Sequence, residues 1–251
     1  MRVLVVVAHP DDETFGCGST IAAAVAAGAE VAVCCATRGE AGEAKPGSVP
    51  DGSDLGTIRE AELRDAADYL GVSRVHMLDF ADSGWDGEPP ADSLCAAPLD
   101  EASAAVEAVL LSERPNVVVT IDGSDGHRDH KYICAATTEA FDRIAGVDAR
   151  LYAATLPRSL MLEWLQGRSD SVYAAEDNVA GVADDAITTI VDVSAHLDTR
   201  LAAIALHRSQ SSPYDDLSHD LRNRFLATDR LIRLRPAWDG GDVEDSIWTS
   251  S

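Results

Sequence analysis

The stretch "RVLVVVAHPDDE" (residues 2–13) runs an unbroken apolar segment into a histidine, a proline and three consecutive acids. A continuous apolar run, rather than an alternating one, predicts a strand covered on both faces, as in a parallel sheet between helices. A strand-to-helix turn needs a single Asp as N-cap. Three neighbouring carboxylates repel one another unless something positive sits among them, so this turn carries more charge than folding requires.

The same alternation continues along the chain. Helices are predicted over 16–28, 57–71, 99–115, 130–146 and 194–207, with strands over 30–37, 74–80, 116–121, 149–155 and 186–193. Strands and helices in turn at this spacing imply βαβ units: an α/β, Rossmann-like fold whose mostly parallel sheet has helices on both faces. No linker, internal repeat or low-complexity tract divides the chain, so residues 1–251 are expected to form a single domain. The longest irregular stretches, 38–56, 81–98 and 208–222, are of a length that usually carries function.

Forty-three acids against 20 bases give a formal net charge of −23, which makes nucleic acid and anionic membranes poor partners. No apolar run reaches the roughly 18 residues that a membrane span needs. "MRVLVVVAHP" is too short for a signal peptide and reads as a strand. The five cysteines are odd in number and lack zinc-finger spacing. Buried free thiols and a cytoplasmic location are therefore expected. A homo-oligomer is left open.

In open parallel sheets, ligands sit beyond the carboxyl ends of the strands. "HPDDE" follows the first strand, "RGEAGE" the second, "ADSGW" the third and "DGSDGHRDH" the fourth, so four polar clusters are expected at one rim. A divalent metal explains why histidines and acids concentrate there. His9 and Asp12, three apart, can both reach one ion, and His130, opening the helix after the fourth strand, closes the set. Two imidazoles and a carboxylate leave a zinc ion an open position for water. Asp11, beside the metal but not on it, can then take a proton from that water. Acceleration by an enzyme commonly requires at least ~8 kcal/mol, whereas one acid–base residue supplies about 3–5 kcal/mol, so Asp11 and His127 alone would fall short.

"AHPDDE" and "HRDH", together with "TRGEAGE" (37–43), the Arg-x-x-Glu of "REAEL" and "HRSQ" (207–210), resemble the LmbE-like (PIG-L) deacetylases over most of the chain. The resemblance implies a Rossmann-like, Zn2+-dependent enzyme that removes acetyl from an N-acetylglucosamine-type group of a small molecule or glycoconjugate. It implies His9, Asp12 and His130 as metal ligands and Asp11 as general base. His127 would stabilise the oxyanion or protonate the leaving amine, oriented and charged by a hydrogen bond from Asp129. Arg59, Glu40 and Asp82 become candidates for contacts with the substrate. "DSGW" (82–85) is similar to an element of the mycothiol-pathway branch, yet that branch's deacetylase has tyrosine where this chain has Asp125, which argues against a mycothiol-pathway substrate.

Several residues admit plainer readings. Arg59 and Glu62 could form an i,i+3 surface pair, Glu40 could be a solvated loop acid, and His207 could cap a helix C-terminus instead of serving the pocket. His76 reads as structural; Trp85 either lines the pocket or shields a loop. Rival functions are an amidase of another amide or thiol conjugate, a metal-dependent sugar-binding protein without turnover, and an Fe(II) oxygenase with the same ligand types. A dehydrogenase is disfavoured because no Gly-x-Gly-x-x-Gly follows the first strand.

Overall fold

The computed structural model describes residues 1–144, 148–166, 174–175 and 178–248. Its elements run β1 (Arg2–Val7), α1 (Asp12–Phe15), α2 (Gly18–Ala26), β2 (Glu30–Cys35), α3 (Leu55–Leu70), β3 (Arg74–Met77), α4 (Leu99–Glu113), β4 (Val117–Ile121) and α5 (Arg128–Arg143). There follow β5 (Arg150–Ala154), α6 (Arg158–Trp164), the short hairpin β6 (Ala174–Ala175) and β7 (Asn178–Val179), β8 (Thr189–Asp192), α7 (Leu197–Ile204), α8 (His219–Leu226) and β9 (Thr228–Arg235).

Seven strands form one sheet in the order β3-β2-β1-β4-β5-β9-β8. The first five are parallel, and β9 runs antiparallel to both β5 and β8. The valine-rich runs of β1 and β4 are buried throughout, apart from Arg2, as the unbroken apolar pattern predicts. Helices α2, α3 and α7 pack together, and α4 packs on α5, which places helices on both faces. The chain leaves β1 towards β2 and leaves β4 towards β5, in opposite directions across the sheet, although β1 and β4 are neighbours. That divergence is the topological switch point, where the loops part and a ligand crevice opens. No helix among the described residues is long and apolar enough to cross a membrane. All five cysteines are free thiols, and His76 Nε2 pairs with Glu113 Oε1 at 2.7 Å, a structural role.

Three expectations are corrected. The helix expected over 16–28 is the shorter α2, Gly18–Ala26, and a separate turn of helix, α1, precedes it at Asp12–Phe15; the two do not fuse because Arg200 takes carbonyls that a continuous helix would use. Its Nε donates to the Thr14 carbonyl at 3.0 Å and its Nη2 to the Phe15 carbonyl. The helix expected over 130–146 starts earlier, at Arg128, and ends at Arg143; residues 145–146 lie outside the described ones. The irregular stretch expected over 208–222 gives way at His219 to α8, followed by β9. Four of β9's eight residues are charged, which hides a strand interior to the sheet. The charge is tolerated because buried Asp229 meets buried Arg200 at 3.0 Å and accepts from Thr20 Oγ1 at 2.5 Å.

Removing one partner of such a pair strands the other charge in the interior. Arg200→Met is therefore expected to destabilise the fold by about 3–5 kcal/mol, read as a lowered urea midpoint, with Asp229→Asn in the same chain restoring part of the loss. An unchanged midpoint would show that Arg200 contributes nothing to joining α7, α1 and β9.

Candidate active site

The turn after β1 and the start of α5 converge at the switch point. Asp11, the N-cap of α1, has φ 109°, a left-handed conformation rarely adopted by a residue with a side chain. Strain of this kind costs about 1–3 kcal/mol and persists only where surrounding bonds enforce it. Here the Asp11 N–H donates to Glu13 Oε2 at 2.9 Å, and Glu13 Oε1 is held by His207 Nε2 at 2.6 Å. The three acids thus divide their labour. Glu13, fully buried, fixes the turn, while Asp11 and Asp12 face the crevice.

Asp12 Oδ2 accepts from the backbone N–H groups of His9 (2.8 Å) and Ala8 (3.2 Å), and its Oδ1 lies 3.2 Å from His130 Nε2. His9 Nδ1 stands 3.2 Å from that same His130 nitrogen and 3.6 Å from Asp12 Oδ2. A tetrahedral ion with bonds of ~2.0–2.1 Å separates its ligands by about 3.3–3.4 Å. The two imidazole nitrogens therefore already lie close to that spacing, with one Asp12 oxygen near each, Oδ2 beside His9 and Oδ1 beside His130. Two further groupings, His9–His127–His130 and His9–Asp82–Asp129, also bring their donor atoms within 4.8 Å of one another.

The far nitrogen of each imidazole is also spoken for. His9 Nε2 contacts Asp129 Oδ2 at 3.1 Å, with Asp82 Oδ1 at 3.6 Å, and His130 Nδ1 contacts Asp125 Oδ2 at 2.6 Å. A carboxylate on the outer nitrogen fixes the tautomer and points the other lone pair inward, the arrangement found around bound metals. Burial lowers the affinity of both rings for protons, but the surrounding acids outweigh it. Asp12, Asp129 and Asp82 hold His9 well above its ordinary range, and Asp12 and Asp125 raise His130 to about 10. In each ring a divalent cation would compete with a proton for the inward lone pair.

Asp11 differs from its neighbour. Burial pushes its carboxyl up to about 6, against the lowering pull of Arg59, whose Nη2 lies 3.1 Å away, while Asp12 raises it further. Asp12 is held well below the carboxylate range because His130 and His9 outweigh its burial. Two adjacent acids therefore separate, one raised towards neutrality and one held below the ordinary carboxylate range, which suits a base beside a ligand.

His127 caps α5, and its Nδ1 accepts the backbone N–H of Asp129 at 3.2 Å. Burial and the nearby His9 and His130 rings lower it to about 4. At neutral pH it is thus an uncharged imidazole with its proton on Nε2, a hydrogen-bond donor. The expected carboxylate bond from Asp129 to His127 is replaced: the Asp129 side chain is fully buried and is taken by His9 Nε2, the Ser83 N–H (3.0 Å) and Cys95 Sγ (3.0 Å). Its backbone alone meets His127, because α5 turns the carboxylate towards β1.

The remaining candidates divide. His9, Asp11, Asp12, Arg59, Asp82, His127 and His130 all line one cavity of about 700 Å³. Arg59 is buried, and its Nη1 and Nη2 bind the carbonyls of Gly39 and Pro10, both at 2.6 Å; it is no surface pair with Glu62, which accepts from Ser209 instead. Glu40 and His207 do not line the cavity. Glu40 Oε1 accepts the Asp82 N–H at 3.0 Å, and His207 is intercepted behind α1 by Glu13. Asp125 and Glu13 are functional neighbours that spacing alone does not reveal, since each acts through a tertiary contact.

The family model described as PIG-L, GlcNAc-PI de-N-acetylase, matches residues 4–141. A relative from Acidothermus cellulolyticus, named 1D-myo-inositol 2-acetamido-2-deoxy-alpha-D-glucopyranoside deacetylase, is 35% identical over 95% of this chain and 91% of its own. A protein of the same name from Thermomonospora curvata is 35% identical over 93% and 90%. Among solved structures, the N,N'-diacetylchitobiose deacetylase of Pyrococcus horikoshii superposes with a TM-score of 0.65 at 19% identity, covering 93% of this chain and 83% of that one, a likeness of fold. The family model matches more than half of the chain and the relatives match along nearly all of it, so the chain belongs to the PIG-L family of de-N-acetylases.

Proposed function

We propose that the protein is a zinc-dependent de-N-acetylase that removes acetyl from an N-acetylglucosamine-type group of a small molecule, with His9, Asp12 and His130 as the metal ligands. The observation that carries this reading is the convergence of His9 Nδ1 and His130 Nε2, 3.2 Å apart, with one oxygen of Asp12 3.6 Å from the first and the other 3.2 Å from the second. The names of the relatives, which specify an acetamido-glucopyranosyl group, support the substrate class. The chemistry is that of a small soluble metabolite, and a cytoplasmic site of action accords with the free thiols.

A bound divalent cation would supply Lewis acidity at the amide oxygen and acidify the attacking water. Asp11, unliganded and near neutrality, takes the proton of that water as oxygen attacks the acetyl carbon. Arg59 holds the Asp11 carboxylate in place. His127, neutral, directs Nε2–H at the carbonyl oxygen as negative charge develops there, the role of an oxyanion donor rather than of an acid. The C–N bond breaks as the proton stored on Asp11 passes to the nitrogen, so the products are acetate and the free amine.

The outer carboxylates contribute through the ligands. Asp125→Asn keeps the shape but weakens the grip on His130 Nδ1. Metal affinity is expected to fall about 10–100-fold, measured by competition with a chromophoric chelator; an unaltered affinity would remove Asp125 from the metal's support. For the reaction itself, purified protein is offered N-acetylated amino sugars. Acetate release that disappears on chelation and returns with zinc supports the proposal, and full activity in metal-free protein contradicts it.

A further inference from the structure

Trp85 and Arg128 have no part in this chemistry, yet they form a built arrangement at its mouth. Among the described large apolar side chains that are exposed, Trp85 (38% exposed) is the one that also lines the cavity. Its indole stands edge-on to the His127 ring at a centroid distance of 5.0 Å, so it borders the place where the acetamide must lie. A lone exposed apolar side chain is ordinary; what distinguishes Trp85 is that it lines the cavity against the His127 ring.

The loop that carries it is not left to move. Arg128, the first residue of α5, donates Nε to the Gly84 carbonyl (2.6 Å), Nη2 to Asp86 (2.5 Å) and Nη1 to Gly87 (2.9 Å). Three carbonyls converge on one guanidinium because Gly84 and Gly87 both adopt positive φ, +68° and +73°, on either side of the Trp85–Asp86 pair. A residue with a Cβ is strained in that conformation. The base of the loop is pinned as well: the Gly84 N–H donates to Asp82 Oδ1 at 2.8 Å and the Ser83 N–H to Asp129. Only Arg offers such a fork of rigid donors; the point charge of Lys does not. A guanidinium between His127 and Asp129 is thus committed wholly to fixing the backbone on both sides of one indole.

We infer that Trp85 is a stacking platform for the apolar C–H face of the substrate's pyranose ring, and that Arg128 is the positioning residue that holds the platform. This rests on the amino-sugar reading above and adds a specificity determinant to it. A flat hydrocarbon face beside a rim of Asp82, Asp122 and Asp125 suits a ring with one apolar side and hydroxyls at its edge. An acyclic acetamide offers no such face.

The test compares wild type, Trp85→Ala, Trp85→Phe, Arg128→Lys and Arg128→Ala, each zinc-loaded, on methyl N-acetylglucosaminide and on an acyclic N-acetyl amine. Dissociation constants for the methyl glycoside are measured by calorimetry in parallel. Trp85→Ala is expected to raise KM and Kd for the sugar about tenfold with a small change in kcat, and to lose about tenfold more on the sugar than on the acyclic amide. Trp85→Phe recovers part of the loss. Either Arg128 variant raises the sugar KM, and neither adds to Trp85→Ala when combined with it. Equal losses on both substrates, or a fall in kcat at unchanged KM, would overturn the platform alone. Wild type that cleaves the acyclic amide but neither binds nor cleaves the glycoside would overturn the amino-sugar reading together with it.

Discussion

Asp11→Asn is expected to lower kcat by about 10²–10⁴-fold, the range supplied by one positioned acid–base group. The substitution is chosen to isolate proton transfer. Asn is nearly isosteric and tolerates a positive φ better than most residues, so the 109° turn survives. The backbone N–H to Glu13 is retained, and the amide oxygen can still accept from Arg59. Zinc affinity should remain close to that of wild type, because His9, Asp12 and His130 are untouched. Steady-state kinetics with a parallel metal titration reads both quantities. A kcat within threefold of wild type would show that the water loses its proton elsewhere.

The second large effect is on the metal. His130→Ala removes one of the three proposed ligands and frees Asp125 Oδ2 and Asp12 Oδ1 of their partner. Affinity for zinc should fall well beyond the ~10–100-fold that an outer-shell partner costs, and acetate release should fall with it. His127→Ala makes the informative contrast: zinc should still bind, because His127 is not one of the three proposed ligands, while kcat drops through loss of the Nε2–H donor. If the two variants lost metal equally, the ion would sit within the His9–His127–His130 group.

Much of this was legible in the residues. The valine run of β1 and the alternation after it reflect local hydrophobic pattern, which depends little on context, and five parallel strands follow from it. The convergence of His9, Asp12 and His130 was legible because each sits within a few residues of a strand end, and β1 and β4 are neighbours. The errors share one cause, a partner distant in sequence. Asp129 lies two residues from His127, yet it serves His9, 120 residues away. His207 turns to Glu13 across 194 residues, and Arg200 closes the end of α1, a helix the pattern did not show, from a distance of 185. β9 conceals itself behind charges whose partners are mostly distant: Asp229 meets Arg200, Arg233 meets Glu244 and Arg235 meets Asp142. Arg128 reads as one more surface base until the carbonyls of 84, 86 and 87 are seen around it.

The most direct measurement is an anomalous difference map, collected at the zinc edge from a crystal of this protein grown with zinc. The account predicts one strong peak about 2.0–2.2 Å from His9 Nδ1, His130 Nε2 and Asp12 Oδ1, with Asp11 beyond bonding distance. A peak among His9, Asp82 and Asp129, or no peak at full zinc occupancy elsewhere in the crystal, would contradict it.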